Sequence, residues 1–151
     1  MLTFKKSHDL DSQVYADAVR IRTEVFVTEQ HVSQDEELQG ELGPLYFVGY
    51  LGAKPVVTAR VLKEAAQTWH VQRVAVIKSC RGQQVGAQIL AEIERTGKKY
   101  GISRLTLGAQ DQAQKFYLKQ GFTVEGAGFL DAGIPHHTMN KHIGSAGNQT
   151  D

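Results

Sequence analysis

Between residues 68 and 101 the chain changes its period, and nothing else in the sequence constrains the fold as much. "TWHVQRVAVI" is rich in β-branched residues and reads as a strand, with Val71 and then Val74 and Val76 alternating imperfectly across charged neighbours. From about Gln84 to Tyr100 apolar residues return every three or four positions. Val85, Ile89 and Ile93 form one row, with Gly86 and Leu90 beside it, and Gly101 is placed to end the helix. The switch happens inside "SCRGQQVG". A strand that passes through so short a turn into an amphipathic helix must pack that helix back on a sheet.

The rest of the chain extends this alternation. "LTFKK" is a first strand, and Leu10, Val14, Ala18, Ile21 and Val25 form a helical stripe that Asp9 or Asp11 can cap. "LYFVGYL" and "KPVVTARVLK" flank the turn "GAK" as a hairpin. "SRLTLGA" is a strand, "DQAQKFYLKQ" a helix running from an Asp111 N-cap to Gly121, and "FTVEGAGF" and "IPHHTMNKHI" are closing strands around "LDAG". The order β-α-β-β-β-α-β-α-β-β predicts an α/β (α+β) fold with a mixed sheet and helices on its faces. One domain is expected over residues 2–143, with "GSAGNQTD" (144–151) as a flexible tail.

Composition narrows the function classes. Of 151 residues, 41% are hydrophobic and 22% charged, ordinary for a globular domain, and a net charge of +1 argues against nucleic acid as partner. Cys80 is the single cysteine, so no internal disulfide forms; this fits a reducing cytoplasm. "MLTFKKSHDLD" lacks the apolar core of a signal peptide, and no apolar run approaches the roughly 20 residues that span a bilayer. A cytoplasmic protein without a membrane partner is expected. The sequence is silent on oligomeric state, and a homodimer stays open.

The turn "SCRGQQVG" has the makings of an anion site. First-turn amides of a helix lack intrahelical partners, the helix dipole favours negative charge there, and Arg81 can add a forked donor. It is neither G-x-x-x-x-G-K-[ST] nor G-x-G-x-x-G. On its own it is more simply an ordinary connection with a surface arginine.

Together, "VQRVAVIKSCRGQQVGAQIL" and the more C-terminal "DQAQKFYLKQGF" resemble the GNAT superfamily of acyl-CoA-dependent N-acetyltransferases, which carries R/Q-x-x-G-x-G/A after its fourth strand and an A..FY...GF segment on its last helix. Arg81, Gly86, Ala113, Phe116, Tyr117, Gly121 and Phe122 match, and "IRTEVFVTEQHVSQDEE" and "FLDAGIPHHTM" are similar to one subgroup of small bacterial members. The likeness runs from about Leu2 to Ile143. It implies acetyl-CoA as cosubstrate, a small-molecule or peptide amine as acceptor, and a sheet whose fourth and fifth strands splay for pantetheine. Residue by residue, it implies that Val74, Ala75 and Val76 offer backbone groups to pantetheine. Arg81, Gly82, Gln83, Gln84, Val85, Gly86 and Ala87 would hold the pyrophosphate through their amides, with Ala113, Phe116 and Tyr117 lining the coenzyme. Gln84 departs from the pattern, which prefers glycine. A helical, negative φ is expected there, so that the amide survives and only the side chain must turn outward.

Acyl transfer to an amine needs a neutral amine, a stabilised oxyanion and a proton for the departing thiolate. The resemblance implies direct attack in a ternary complex, Tyr117 as thiolate acid or positioner, and a Val76 amide on the oxyanion. The base is open among His70, which shares a strand face with Gln72, His136 and Glu29; each histidine is equally read as a hydrogen-bonded strand residue. Glu24 faces solvent, and Arg60 is read as a surface or ion-pair residue that can also orient an acidic substrate group. The acidic stretch from Glu29 to Glu41 suits a cationic acceptor, though a solvated loop is its ordinary explanation. Cys80 as an acidified nucleophile is disfavoured, since no acyl-cysteine step is needed. No metal is expected: His136 and His142 share a strand face but lie about 20 Å apart by rise, and His137 points the other way. The competing class is a GNAT-fold module that binds coenzyme A or a small ligand with little turnover.

Overall fold

A computed structural model of the chain describes residues 2–29 and 43–144. Seven strands, β1 (Leu2–Ser7), β2 (Leu45–Leu51), β3 (Lys54–Ala65), β4 (Thr68–Val76), β5 (Arg104–Gln110), β6 (Thr123–Asp131) and β7 (Ile134–His142), form one sheet in the order β1-β2-β3-β4-β5-β7-β6. The helices are α1 (Gln13–Arg22), prolonged by a π-helical segment Thr23–Glu29, α2 (Val85–Lys99) and α3 (Gln114–Lys119). The β4–β5 pair is parallel; β1–β2, β2–β3, β5–β7 and β6–β7 are antiparallel. The sheet is therefore mixed, and the alternation of elements is the one the sequence predicts. Among the described residues no helix is long and apolar enough to cross a membrane. The acidic stretch after Glu29 and nearly all of the expected tail lie outside the described residues.

By packing, the chain falls into two units. One holds the residues up to Leu62 together with Arg73–Ile93; the other holds Lys63–Gln72 and the residues from Glu94 onward.

In the first unit, α1 begins later than its stripe suggests. Ser12, not Asp9 or Asp11, is the N-cap: its hydroxyl accepts the Tyr15 amide at 3.1 Å. Asp9 builds the turn before it, its carboxylate accepting the Asp11 amide at 2.8 Å and its carbonyl the Ser12 hydroxyl at 2.6 Å. Leu10 thus sits in the turn, and the helix buries Ala18, Ile21, Asp17 and Arg22 instead. A buried carboxylate on the core face is tolerable only with partners. Tyr50 donates to Asp17 at 2.7 Å and Gln13 at 2.9 Å, and Tyr15 meets Tyr46 edge-on at 4.9 Å. Burial, and then the Asp17 hydrogen bond, drives the Tyr50 phenol well above its ordinary range. Tyr46, Phe47 and Val48 are all wholly buried, so both faces of β2 are covered. The β2–β3 hairpin turns through Gly52 and Ala53, with φ +60° at the glycine.

In the second unit, the β4–β5 ladder spans Thr68–Val71 against Arg104–Leu107, and both strands run on beyond it. Gly101 (φ +78°) ends α2, where the Ile102 amide reaches back to the Gly97 carbonyl at 2.9 Å. Near that end Lys141 and Lys98 bind Glu94 at 2.7 and 3.2 Å. Although burial opposes it, the hydrogen bonds from these lysines hold Glu94 below the usual carboxylate range. The β6–β7 hairpin turns through Ala132 and Gly133, both at positive φ, the geometry that matches strand twist. β6 is exposed along its whole length.

Candidate active site

The turn between β4 and α2 is built by backbone bonds. The Ile77 amide bonds the Val56 carbonyl at 3.0 Å, and a single 3₁₀ turn, Lys78–Cys80, follows, closed by Cys80 to Ile77 at 2.9 Å. Cys80 is buried at 6% exposure, the setting of an inert packing thiol. Arg81 donates from Nε to the Val76 carbonyl at 3.0 Å, pinning the end of β4 to the turn. The side chain expected to donate to an anion thus also donates to the chain's own backbone.

Gly82 has φ +79° and Gln84 has φ +62°. The expected helical backbone at Gln84 is therefore wrong. The residue is left-handed, one position before the helix, because the chain uses two such residues to swing from the 3₁₀ turn into α2. A side chain in that conformation costs roughly 1–2 kcal/mol, which is the physical reason a glycine belongs there. The Gln84 side chain is exposed, and its carbonyl accepts the first helical bond from Gln88 at 3.1 Å. The amides of Val85, Gly86 and Ala87 precede that first bond. Gly82 and Gln84 are left-handed with Gln83 between them, an alternation of the kind found in anion-binding turns, and a fifteen-residue helix follows.

Just upstream, Ala75 is buried and Val74 and Val76 are half-buried. Arg73 before them has φ +55°. Among the described residues only Arg73, Gln84 and Ala132 are non-glycine residues at positive φ, so two of the three flank this segment. Such strain collects where a backbone has a task beyond pairing. Nothing in the sequence announces Arg73.

The second unit carries the other candidates. Asp111 opens a 3₁₀ turn, Asp111–Ala113, and is not the N-cap of α3, which starts at Gln114 with no side-chain cap bond. Its carboxylate is taken instead by His137 Nδ1 at 2.7 Å and by Gln114 Nε2 at 3.3 Å. Tyr117 is buried, meeting Phe116 at 4.9 Å and Phe122 at 5.8 Å, both edge-on. Burial pushes its phenol up to about 12. Ala113 and Phe116 are half-buried.

His136 is buried, stacked on Phe129 at 5.7 Å, with Nδ1 2.6 Å from the Ile134 carbonyl. A carbonyl only accepts, so Nδ1 carries a proton, and in the neutral ring the lone pair is on Nε2. His70 is one-third exposed and paired with Glu64 at 3.1 Å. Arg60 is buried, not at the surface. Glu24 and His142 are exposed, and the side chain of Glu29 lies outside the described part of the molecule. Among the described residues no three His, Cys, Asp or Glu side chains gather as a metal site. The structure thus groups Val74–Val76 with Arg81–Ala87 in the first unit, and His70, Ala113, Phe116, Tyr117 and His136 in the second. Sequence reasoning misses the Asp17–Tyr50 pair and the Asp111–Gln114–His137 cluster, which join positions far apart in sequence.

Comparison with known proteins points the same way. Residues 10–143 match the model of the acetyltransferase (GNAT) domain. The uncharacterized N-acetyltransferase YjcF of Bacillus subtilis (strain 168) is 40% identical over 127 residues, covering 83% of this chain and 90% of that protein. The crystal structure of Escherichia coli ElaA superposes with a TM-score of 0.81 at 26% identity, covering 93% of this chain and 99% of ElaA. The crystal structure of an aminoglycoside 6'-N-acetyltransferase complexed with coenzyme A superposes with a TM-score of 0.77 over 97% of this chain and 99% of that one; at 14% identity it shares the fold alone.

Proposed function

Because this chain belongs to the GNAT acetyltransferase family and is therefore an acyltransferase, we propose that it transfers an acetyl group from acetyl-CoA to a primary amine, small molecule or peptide, by direct attack in a ternary complex. The observation that carries the reading is the turn Arg81–Ala87. Its two left-handed residues and the first-turn amides that precede the first helical bond suit a pyrophosphate, with no side chain needed for contact. A GNAT-fold enzyme in complex with coenzyme A is among the structural neighbours, which supports the coenzyme assignment. Val74–Val76 would offer backbone groups to the pantetheine, the Val76 amide would face the developing oxyanion, and Ala113 and Phe116 would line the coenzyme.

Tyr117 is assigned to the departing sulfur, and its burial decides how it acts. A phenol held near 12 facing a thiol of ordinary acidity, about 8.5, would give up its proton completely only at a cost of roughly 5 kcal/mol. It therefore serves as a hydrogen-bond donor that stabilises the thiolate, and full protonation can follow from solvent. For the base we favour His136 over His70 and Glu29. The Ile134 carbonyl fixes its tautomer so that Nε2 offers a lone pair inside a buried setting; Glu64 fixes the His70 tautomer in the same way, but that ring is one-third exposed to water.

The test is thiol release from acetyl-CoA across amines, polyamines, aminoglycosides and peptide N-termini. Acceptor-dependent release is expected. Tight coenzyme A binding with no acceptor-dependent release across the panel would assign the chain to the binding-module class instead.

A further inference from the structure

Three side chains meet at the start of α3 that neither the sheet nor the acyl-transfer reading uses. Asp111 Oδ1 accepts from His137 Nδ1 at 2.7 Å and from Gln114 Nε2 at 3.3 Å, and the Gln114 amide lies 3.0 Å from the same imidazole nitrogen. Asp111 and His137 are 26 positions apart, so the cluster ties the end of β5 and the first turn of α3 to β7.

The surrounding chain is shaped to admit it. β6 shifts register between Glu125 and Phe129, with Gly126 at φ +82°. A Cβ on Gly128 would stand 2.9 Å from His137 Cε1 and 3.0 Å from Nε2. Gly128 therefore leaves the space in which the imidazole sits. An unbroken strand with a side chain at 128 would push the ring away.

α3 needs such a tie. It has six residues and no side-chain cap, and a helix that short has no stability of its own in water. Gln114 and Tyr117 are three residues apart, hence on one face of it. Whatever fixes Gln114 fixes the direction in which the Tyr117 phenol points.

We propose that Asp111, Gln114 and His137 form a clamp that positions the Tyr117 phenol by holding the first turn of α3, with His137 as its central positioning residue. The proposal rests on the reading of Tyr117 as the donor to the departing sulfur, and the experiment separates the two.

Tyr117 is followed by NMR in protein labelled with 13Cζ-tyrosine, its resonance assigned with Tyr117→Phe, at about pH 10.5. In the wild-type protein burial keeps the phenol protonated at that pH. His137→Ala is expected to let water into the turn and bring the phenol back toward its ordinary value of about 10, so that most of it ionises. His137→Asn keeps a donor near the Nδ1 position and is expected to restore the wild-type spectrum. Gly128→Ala keeps all three clamp side chains but crowds the ring, and is expected to resemble His137→Ala. A phenol equally protonated in the wild type, His137→Ala and Gly128→Ala overturns the clamp, whatever happens to activity.

The kinetic arm uses acetyl-CoA with the best acceptor of the amine panel. His137→Ala should lower turnover on the order of tenfold to a hundredfold while the KM for acetyl-CoA stays within about twofold. Added to Tyr117→Phe it should cost nothing further, since it acts through the phenol. Multiplying losses would overturn that route. Turnover intact in Tyr117→Phe alone would instead remove the phenol from the chemistry and leave the NMR result to judge the clamp.

Discussion

The turn Arg81–Ala87 and the helix α3 stand in different units and are built from different parts of the chain. The turn offers backbone: left-handed residues at Gly82 and Gln84, first-turn amides ahead of the Gln88 bond, and an arginine that reaches back to Val76. The helix offers a side chain, the buried phenol of Tyr117, and depends on other side chains to hold it. Backbone amides are present whatever the residue, so such a site survives substitution as long as φ and ψ survive. A phenol has no substitute. The two regions should therefore fail differently, the first gradually and in binding, the second abruptly and in turnover.

The sharpest break should come in the second region. Tyr117→Phe removes one oxygen from a buried, ring-packed residue, and the packing with Phe116 and Phe122 stays. Turnover is expected to fall on the order of a hundredfold, in the range general for an acid or donor acting in a transition state. Acetyl-CoA affinity by calorimetry should stay nearly the same; unchanged turnover would refute the assignment. In the first region Gly82→Val should come next. No atom would crowd the new Cβ, so the effect isolates conformation. A β-branched residue at φ +79° is strained by about 2 kcal/mol, and relief by rearranging the turn should weaken acetyl-CoA binding by roughly ten- to thirtyfold with turnover at saturation little changed. A matching loss of saturated turnover would erase the distinction between the two regions.

The same division explains what the sequence discloses. Period and punctuation are local, so the strands, the helices and the turn glycines at Gly52, Gly101 and Gly133 are legible, as is the position of the candidate coenzyme turn. The cap of α1 is misread because Asp9 and Ser12 both suit a helix start, and only the fold decides which oxygen faces the open amides. Asp111 is misread for a related reason: a carboxylate before a helix looks like a cap until a histidine 26 residues away claims it. The phenol's raised pKa and the Asp17–Tyr50 pair come from burial, which no spacing encodes. Gln84 is misjudged from its residue type, since an amide side chain gives no sign of a left-handed backbone.

Gln84 also provides the finest test of the comparison. The chain already holds at Gln84 the conformation that a glycine would take, φ +62°. Gln84→Gly therefore leaves the amides of the turn where they are and changes only what the conformation costs. Relief of left-handed strain is worth about 1–2 kcal/mol, and the greater freedom of glycine in the unfolded chain takes back roughly 0.5–1 kcal/mol. A net gain of about 0.5–1 kcal/mol is expected in denaturant unfolding. Gln84→Ala, which keeps the Cβ and hence the strain, should show little of it; equal gains from both variants would trace the effect to the exposed side chain instead. Acetyl-CoA affinity should stay within about threefold, because binding sees the backbone and the backbone has not moved. A tenfold tightening would mean that the glutamine distorts the anion site, and the turn would then depend on its side chains as α3 does.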